Sequence, residues 1–300
     1  MNPHFQAMES RFWNLVPDGA EVKQLATGMA FTEGPVWLEA AQCVLFTDIP
    51  NNAIMRWDTK DGLGIRNTNA HYAIGLCTDP DGRVMACEHT TRRLTRYEHD
   101  GSRTVLASHH GAFVLNSTND VCVRSDGAVF FTDPPFGVRL DDTGDLVGYQ
   151  QGMEYGACGV FKVTPDPTRP TLVTDAIYRP NGVCFSSDER TLYVSDSSDT
   201  HHRVHALELN TDDTVKSDRV FAMIEPGVPD GMCVDAQDQL YVSTLDGVQV
   251  FESSGALIGK ILVPEMVTNL CFGGPQQDTL FITAVTSLYA VRLNTKGARR

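Results

Sequence analysis

The residues of this chain best suited to chemistry stand at six equivalent places: Glu33, Ile74, Asn119, Asn181, Asp230 and Thr268. Five of them precede a cysteine by three residues, at Cys77, Cys122, Cys184, Cys233 and Cys271. Glu33, Asn119, Asn181 and Asp230 carry carboxylate or amide oxygens, which are hard ligands. Two carboxylates and two neutral amides sum to a formal charge of −2, the complement of one divalent cation. Oxygen-only ligation favours Ca²⁺, Mg²⁺ or Mn²⁺, and leaves Zn²⁺ open through water and carboxylates. Taken singly, an Asn-Gly, Asn-Asp or Asp-Gly pair reads as a turn, because Asn and Asp tolerate left-handed backbone. The common register, kept from residue 33 to residue 230, turns the reading toward a shared metal.

Ligands so far apart in sequence need elements that bring them together. "TNDVCVRSDGAVFFTD", Thr118 to Asp133, has two short apolar runs around Ser125-Asp126-Gly127, the pattern of a β-hairpin. It recurs as "IGLCTDPDGRVMACE", "NGVCFSSDERTLYVSD", "DGMCVDAQDQLYVST" and "TNLCFGGPQQDTLFITA", with "EGPVWLEAAQCVLFTD" a more divergent copy. The second run of each copy ends in Thr, Ser or Cys, and most copies are followed by a further strand-like stretch such as "AIMRWD" or "RVHALELN". Equivalent positions are spaced by 41, 45, 62, 49 and 38 residues. Repeats of this length with about four strands each predict an all-β fold, a six-bladed β-propeller with a central metal-binding channel. One such domain takes in residues 1–300, with roughly the first 20 residues as an extension. "AEVKQLATGM" is expected to supply a strand that closes the ring onto the last blade. The six residues named above then open the innermost strands and form a ring at one mouth of the channel.

Bulk properties narrow the partners. The chain has 24 basic and 38 acidic residues, a net charge of −14, and no basic cluster, which opposes nucleic acid and anionic lipid as partners. No window reaches the length of an apolar membrane span, and the start lacks a secretory pattern. The eight cysteines form no Cys-x-x-Cys, and five fall on separate repeats, so they are expected to be free, small and buried. A reducing, cytoplasmic location fits that pattern.

The repeats also resemble a known family. "TEGPVW", "NSTND", "FTDPPFG", "RPNGVCFSSDERTLYVSD" and "VPDGMCVDAQDQLYVS" are similar to the gluconolactonase, regucalcin (senescence marker protein) and luciferin-regenerating-enzyme family, over about residues 28–292. The resemblance implies a six-bladed propeller that holds one divalent cation in its channel and, in most members, hydrolyses a lactone. Carried over position by position, metal binding falls on Glu33, Asn119, Asn181 and Asp230, the set the repeats select independently. It makes Asp230 the residue expected to take the proton of the attacking water. In related phosphotriesterases of this fold the matching Asp is proposed as a nucleophile, and both roles stay open. Thr118 departs from the pattern, since bacterial gluconolactonases usually carry Pro there.

Other residues are expected at the same mouth. The second strand of each repeat should end there, at Asp48, Glu88, Asp133 and Asp196, either near substrate or as turn caps. His89 could bind substrate or relay a proton, and Asn116 could recognise a sugar hydroxyl. The long third spacing comes from an insert at about residues 138–158, expected to form a lid or wall, with Glu154 and Tyr155 as substrate-binding candidates. "GALIGK" fails as a phosphate loop, and no Gly-x-Ser-x-Gly elbow is present. The resulting expectation is a metal-dependent lactonase acting on a small-molecule sugar lactone. Its rivals are a metal-dependent hydrolase of another ester or organophosphate, and a calcium-binding scaffold without catalysis.

Overall fold

β-Branched and aromatic residues at alternate positions make each repeat a meander of antiparallel strands with two buried faces. The computed structural model describes residues 3–137, 153–164 and 169–298, and in it six such sheets form the blades of a propeller. The inner strands are Thr32–Leu38, Ala73–Thr78, Val121–Val123, Pro180–Phe185, Met232–Val234 and Val267–Gly273, for blades 1 to 6 in order. Each inner strand packs beside the next, and the last packs beside the first, so the sheets close around a central channel. Six apolar clusters hold the ring, one between each pair of adjacent blades. Among the described residues, no helix is long and apolar enough to cross a membrane.

Closure comes from the N-terminal segment. Lys23–Thr27 pairs with Ser287–Arg292 as the outer strand of blade 6, setting Lys23 opposite Ala290 and Thr27 opposite Ser287. This is the strand expected from "AEVKQLATGM". The residues before it are not a loose extension. Phe5–Ala7 adds a fifth strand to blade 5, opposite Ile261, Lys260 and Gly259. Phe12 is fully buried against that blade, where a Cβ on Gly259 would meet its ring at 2.4 Å. The chain start therefore fastens two neighbouring blades.

The recurrent cysteines occupy the blade interfaces, one each for Cys77, Cys122, Cys184, Cys233 and Cys271, and Val36 takes the sixth interface. All eight cysteines of the chain are free thiols. Cys122 and Cys184 are buried as expected, whereas Cys77, Cys233 and Cys271 are only partly so. These three show an edge to a cavity of about 740 Å³ in the channel, which all five thiols line.

Candidate metal centre

The head of each inner strand leaves its ladder. Glu33 faces Thr47, but the next aligned pair is Val36 with Leu45. The same slip separates Ala73 from Leu76, Pro180 from Val183 and Val267 from Asn269. Each is a β-bulge with one extra residue on the inner strand, which bends the strand and re-aims its side chains. In blades 3 and 5 pairing begins only at Val121 and Met232, beyond Asn119 and Asp230. The strand heads are thus bent out of regular pairing, and the side chains of Glu33, Asn119, Asn181 and Asp230 meet in the channel.

Two adjacent residues at the end of the second strand fix these heads. The first, Thr or Ser, reaches the next blade: Thr47 Oγ1 donates to the Ile74 carbonyl at 3.0 Å, Thr132 Oγ1 to Asn181 at 2.6 Å and Ser195 Oγ to Asp230 at 2.9 Å. The second, Asp, accepts backbone N–H groups just ahead of the head residue of its own blade. Asp48 takes those of Ala30 and Phe31, Asp133 that of Asn116 and Asp196 that of Arg179. These aspartates act as caps on the mouth loops. Glu88 differs, binding Thr91, Arg93 and Thr95 instead.

The ring is nearly closed off from solvent. Glu33, Asn119 and Asn181 are buried, and Asp230 keeps some exposure at the mouth. Asn119 Nδ2 donates to Asn181 Oδ1 at 2.5 Å, and Asp230 lies against Asn181 and Glu33. Glu33 Oε2 accepts from the Gly34 amide at 2.8 Å and from Asn269 Nδ2 at 3.1 Å. That last contact corrects the sequence alignment in blade 6. Thr268 turns its hydroxyl to the Thr32 and Thr283 carbonyls, and Asn269 is the residue that points into the ring. The bulge at this head shifts the inward position by one.

Asp120 is the second residue the repeats did not select. It is buried, and its Oδ2 accepts from the Val183 amide at 3.2 Å. The position after each head is Gly34, Gly75, Asp120, Gly182, Gly231 and Asn269. A Cβ on Gly75 would fall 2.5 Å from Asp120 Oδ1, and one on Gly231 would fall 2.0 Å from the Asn269 side chain. Glycine on one blade makes room for the polar side chain of the next. That column of the alignment, four glycines and two polar residues, held the signal.

Burial dominates the electrostatics. It pushes Glu33 up to about 8, opposed by the Gly34 amide and reinforced by the charge of Asp120. Asp120 is pushed up to about 6, also by burial. Asp230 is held well above the usual carboxylate range, first by burial and then by the charges of Glu33 and Asp120. Carboxylates this close cannot all ionise without a compensating positive charge. Among the described residues, no three His, Cys, Asp or Glu side chains make a metal-holding group by themselves. A cation would therefore take the Glu33 and Asp230 carboxylates together with the Asn119 and Asn181 amide oxygens. This is a hard, all-oxygen donor set that fits a divalent cation.

The remaining expected residues lie around the Asn119 loop. Arg92, almost wholly buried, donates through Nε to the Leu115 and Asn116 carbonyls at 2.5 and 2.8 Å, and through Nη1 to Glu154 at 3.1 Å. Tyr155 donates to Asp133 Oδ2 at 2.6 Å. Asn116 Nδ2 donates to Tyr155 Oη and to the Asp133 and Ala157 carbonyls, each at 2.9 Å. Glu154 and Tyr155 thus fasten residues 153–158 to the loop that carries Asn119. The rest of the expected lid, residues 138–152, lies outside the described residues. Thr118 Oγ1 donates to the Arg93 carbonyl at 2.9 Å, so the departure at this position keeps the loop anchored. His89 is buried, and desolvation lowers its pKa to about 3.

With this geometry in view, comparison with known proteins is informative. Residues 31–286 match the family model described as the SMP-30/gluconolactonase/LRE-like region. The chain belongs to this family. It is 30% identical over 300 aligned positions to the gluconolactonase of Zymomonas mobilis, covering 92% of this chain and 82% of that protein. It is 28% identical over 261 positions to the regucalcin of Xenopus laevis, covering 84% and 82%. The solved structure of a gluconolactonase from Xanthomonas campestris superposes with a TM-score of 0.89 at 32% identity, covering 96% of this chain and 94% of that one.

Proposed function

We propose that this protein is a divalent-metal-dependent lactonase that opens a sugar lactone, with D-glucono-1,5-lactone as the leading substrate. The observation that carries the reading is the pair of carboxylates, Glu33 and Asp230, pressed together in a ring completed by Asn119 and Asn181. So costly an arrangement is expected where a cation is held. The gluconolactonase relatives support the substrate class. Ca²⁺ is the leading ion, with Mg²⁺, Mn²⁺ and Zn²⁺ as alternatives. When bound, the cation would supply Lewis acidity to the lactone carbonyl and lower the pKa of water beside it.

The chain's own groups account for the proton. Asp230, partly open to the mouth, takes a proton from the attacking water as its oxygen bonds to the carbonyl carbon. The bond to the ring oxygen then breaks, and the proton held on Asp230 passes to that leaving oxygen, giving the hydroxy acid. Glu33, Asn119 and Asn181 keep the oxygen donors in place and exclude bulk water. Asn116, Glu154 and Tyr155 act mainly through the loop they fasten, and His89 packs beside Asn119. Free thiols throughout support a reducing, cytoplasmic setting.

The test is proton release from D-glucono-1,5-lactone by chelator-stripped protein, before and after Ca²⁺, Mg²⁺, Mn²⁺ or Zn²⁺ is restored. Restored activity that Asp230→Ala and Asn119→Ala both abolish, with circular dichroism unchanged, is the expected result. Folded, cation-loaded protein that opens no lactone would refute it. Activity on a phosphotriester or simple ester alone would move the reading to another metal-dependent hydrolase, and tight cation binding without turnover to a binding scaffold.

A further inference from the structure

Buried polar atoms without hydrogen-bond partners are rare in folded proteins, and each needs a reason. Among the described residues they concentrate beside the channel head. Both ring nitrogens of His89, Oγ1 of Thr90, Oδ1 of Asn116 and Oδ1 of Asp133 have none. His89 is only 2% exposed and sits next to the Asn119 side chain. The segment leading to Gly137 lies directly on its ring, where a Cβ at that glycine would come within 2.9 Å of the imidazole Cγ and Nδ1. The nearby Ser117 hydroxyl is already engaged. Ser117 Oγ donates to the Pro134 carbonyl at 2.7 Å and accepts from the Gly137 amide at 2.8 Å. The imidazole is thus held by packing with the Asn119 side chain as its one polar neighbour, and neither ring nitrogen makes a well-formed hydrogen bond.

We propose that His89 determines specificity by hydrogen-bonding a hydroxyl group of a polyhydroxylated lactone whose carbonyl lies at the Asn119 side of the ring. This rests on the lactonase reading above and deepens it by naming the residue that selects a hydroxylated ring. A neutral imidazole presents one donor and one acceptor, and a substrate hydroxyl can accept from the one or donate to the other. Asn116 Oδ1, on the adjoining loop, and Asp133 Oδ1, at the strand end that caps it, add acceptors for neighbouring hydroxyls. A lactone with a bare alkyl ring would leave all of these atoms unsatisfied, and sites built to bind hydroxyls discriminate strongly against analogues that lack them.

The experiment compares kcat/KM for D-glucono-1,5-lactone and for δ-valerolactone, the same ring without hydroxyls, in the wild type, His89→Phe and His89→Gln. His89→Phe is expected to lower the gluconolactone value by roughly 10- to 100-fold, and His89→Gln to recover part of the loss. The δ-valerolactone value should fall by a clearly smaller factor, since no hydroxyl contact is lost there. Equal losses on both lactones would assign His89 a purely structural role and overturn the proposal, as would no loss on either. Binding is read separately from the ¹⁵N signals of the His89 ring on titration with D-gluconate. A shift of both nitrogens is expected, and unchanged signals at saturating gluconate would overturn the proposal while leaving the lactonase reading intact. A shift in a wild type that opens neither lactone would do the reverse. Failure of both measurements would overturn both readings.

Discussion

Two rings of residues on the same six strands have opposite chemistry. At the channel head stand Glu33, Ile74, Asn119, Asn181, Asp230 and, after the bulge, Asn269. Three residues beyond the aligned head positions stand Val36, Cys77, Cys122, Cys184, Cys233 and Cys271. The lower ring repeats almost one residue type because every blade interface asks the same of it: a small side chain that fills space. Burial pushes the Cys271 thiol up, so it stays protonated and packs as a small hydrophobe. The upper ring varies from blade to blade because its members share one task between them. Uniformity across a repeat therefore marks packing, and departure from uniformity at a fixed register marks the site.

That contrast orders the expected effects of substitution. Asp230→Asn keeps volume and removes the base, and should lower kcat by about 10²- to 10⁴-fold in a lactone assay, with near-native circular dichroism. Asp120→Asn and Asn269→Ala, which flank the ring without being expected ligands, should weaken cation binding by roughly 10- to 100-fold in calorimetry. Thr132→Val breaks the bridge to the Asn181 carbonyl. It should cost about 1–3 kcal/mol in urea unfolding by leaving a buried acceptor unsatisfied. Cys184→Ala, one ring lower, should cost only about 1 kcal/mol and leave kcat unchanged. An effect of Cys184→Ala on kcat comparable to that of Asp230→Asn would erase the distinction between the rings.

Acidity separates them as well. Glu33 is raised from 4.5 in an unfolded-like setting to about 8, and Asp120 from 3.8 to about 6. Between those values the unfolded chain has lost protons that the folded chain still holds, so rising pH favours unfolding. The stability these groups contribute is complete below about pH 4 and is lost as pH climbs through 6 and then 8. In chelator the melting temperature should fall across that window, and saturating divalent cation should flatten the fall. A melting curve in chelator that is level from pH 5 to 8 would count against the buried carboxylate ring.

Much of this was legible in the sequence because the fold repeats. One hairpin is ambiguous, but copies in a common register fix the blade number, the closing strand and the inward-facing column. The bulges escaped notice, since a one-residue slip leaves the apolar pattern downstream unchanged. The one in blade 6 moved the inward position from Thr268 to Asn269, while in blade 3 pairing that starts only at Val121 leaves Asp120 inward beside Asn119. The strand-end Thr-Asp and Ser-Asp pairs were visible as residues, but their partners lie on loops and blades that only the folded ring brings near. Glu154 and Tyr155 were picked out by their place in a long insert, yet their contacts run to Arg92, Asn116 and Asp133. No local pattern announces such a clasp.

The most direct measurement is calorimetric titration of chelator-stripped protein with Ca²⁺ and Mn²⁺, wild type beside Glu33→Gln and Asp230→Asn, with lactone turnover followed in the same samples. One ion per chain in the wild type, binding lost in both variants, and turnover rising in proportion to occupancy is the result this account requires. Turnover in full in stripped protein, or cation binding unaffected by both substitutions, would contradict it.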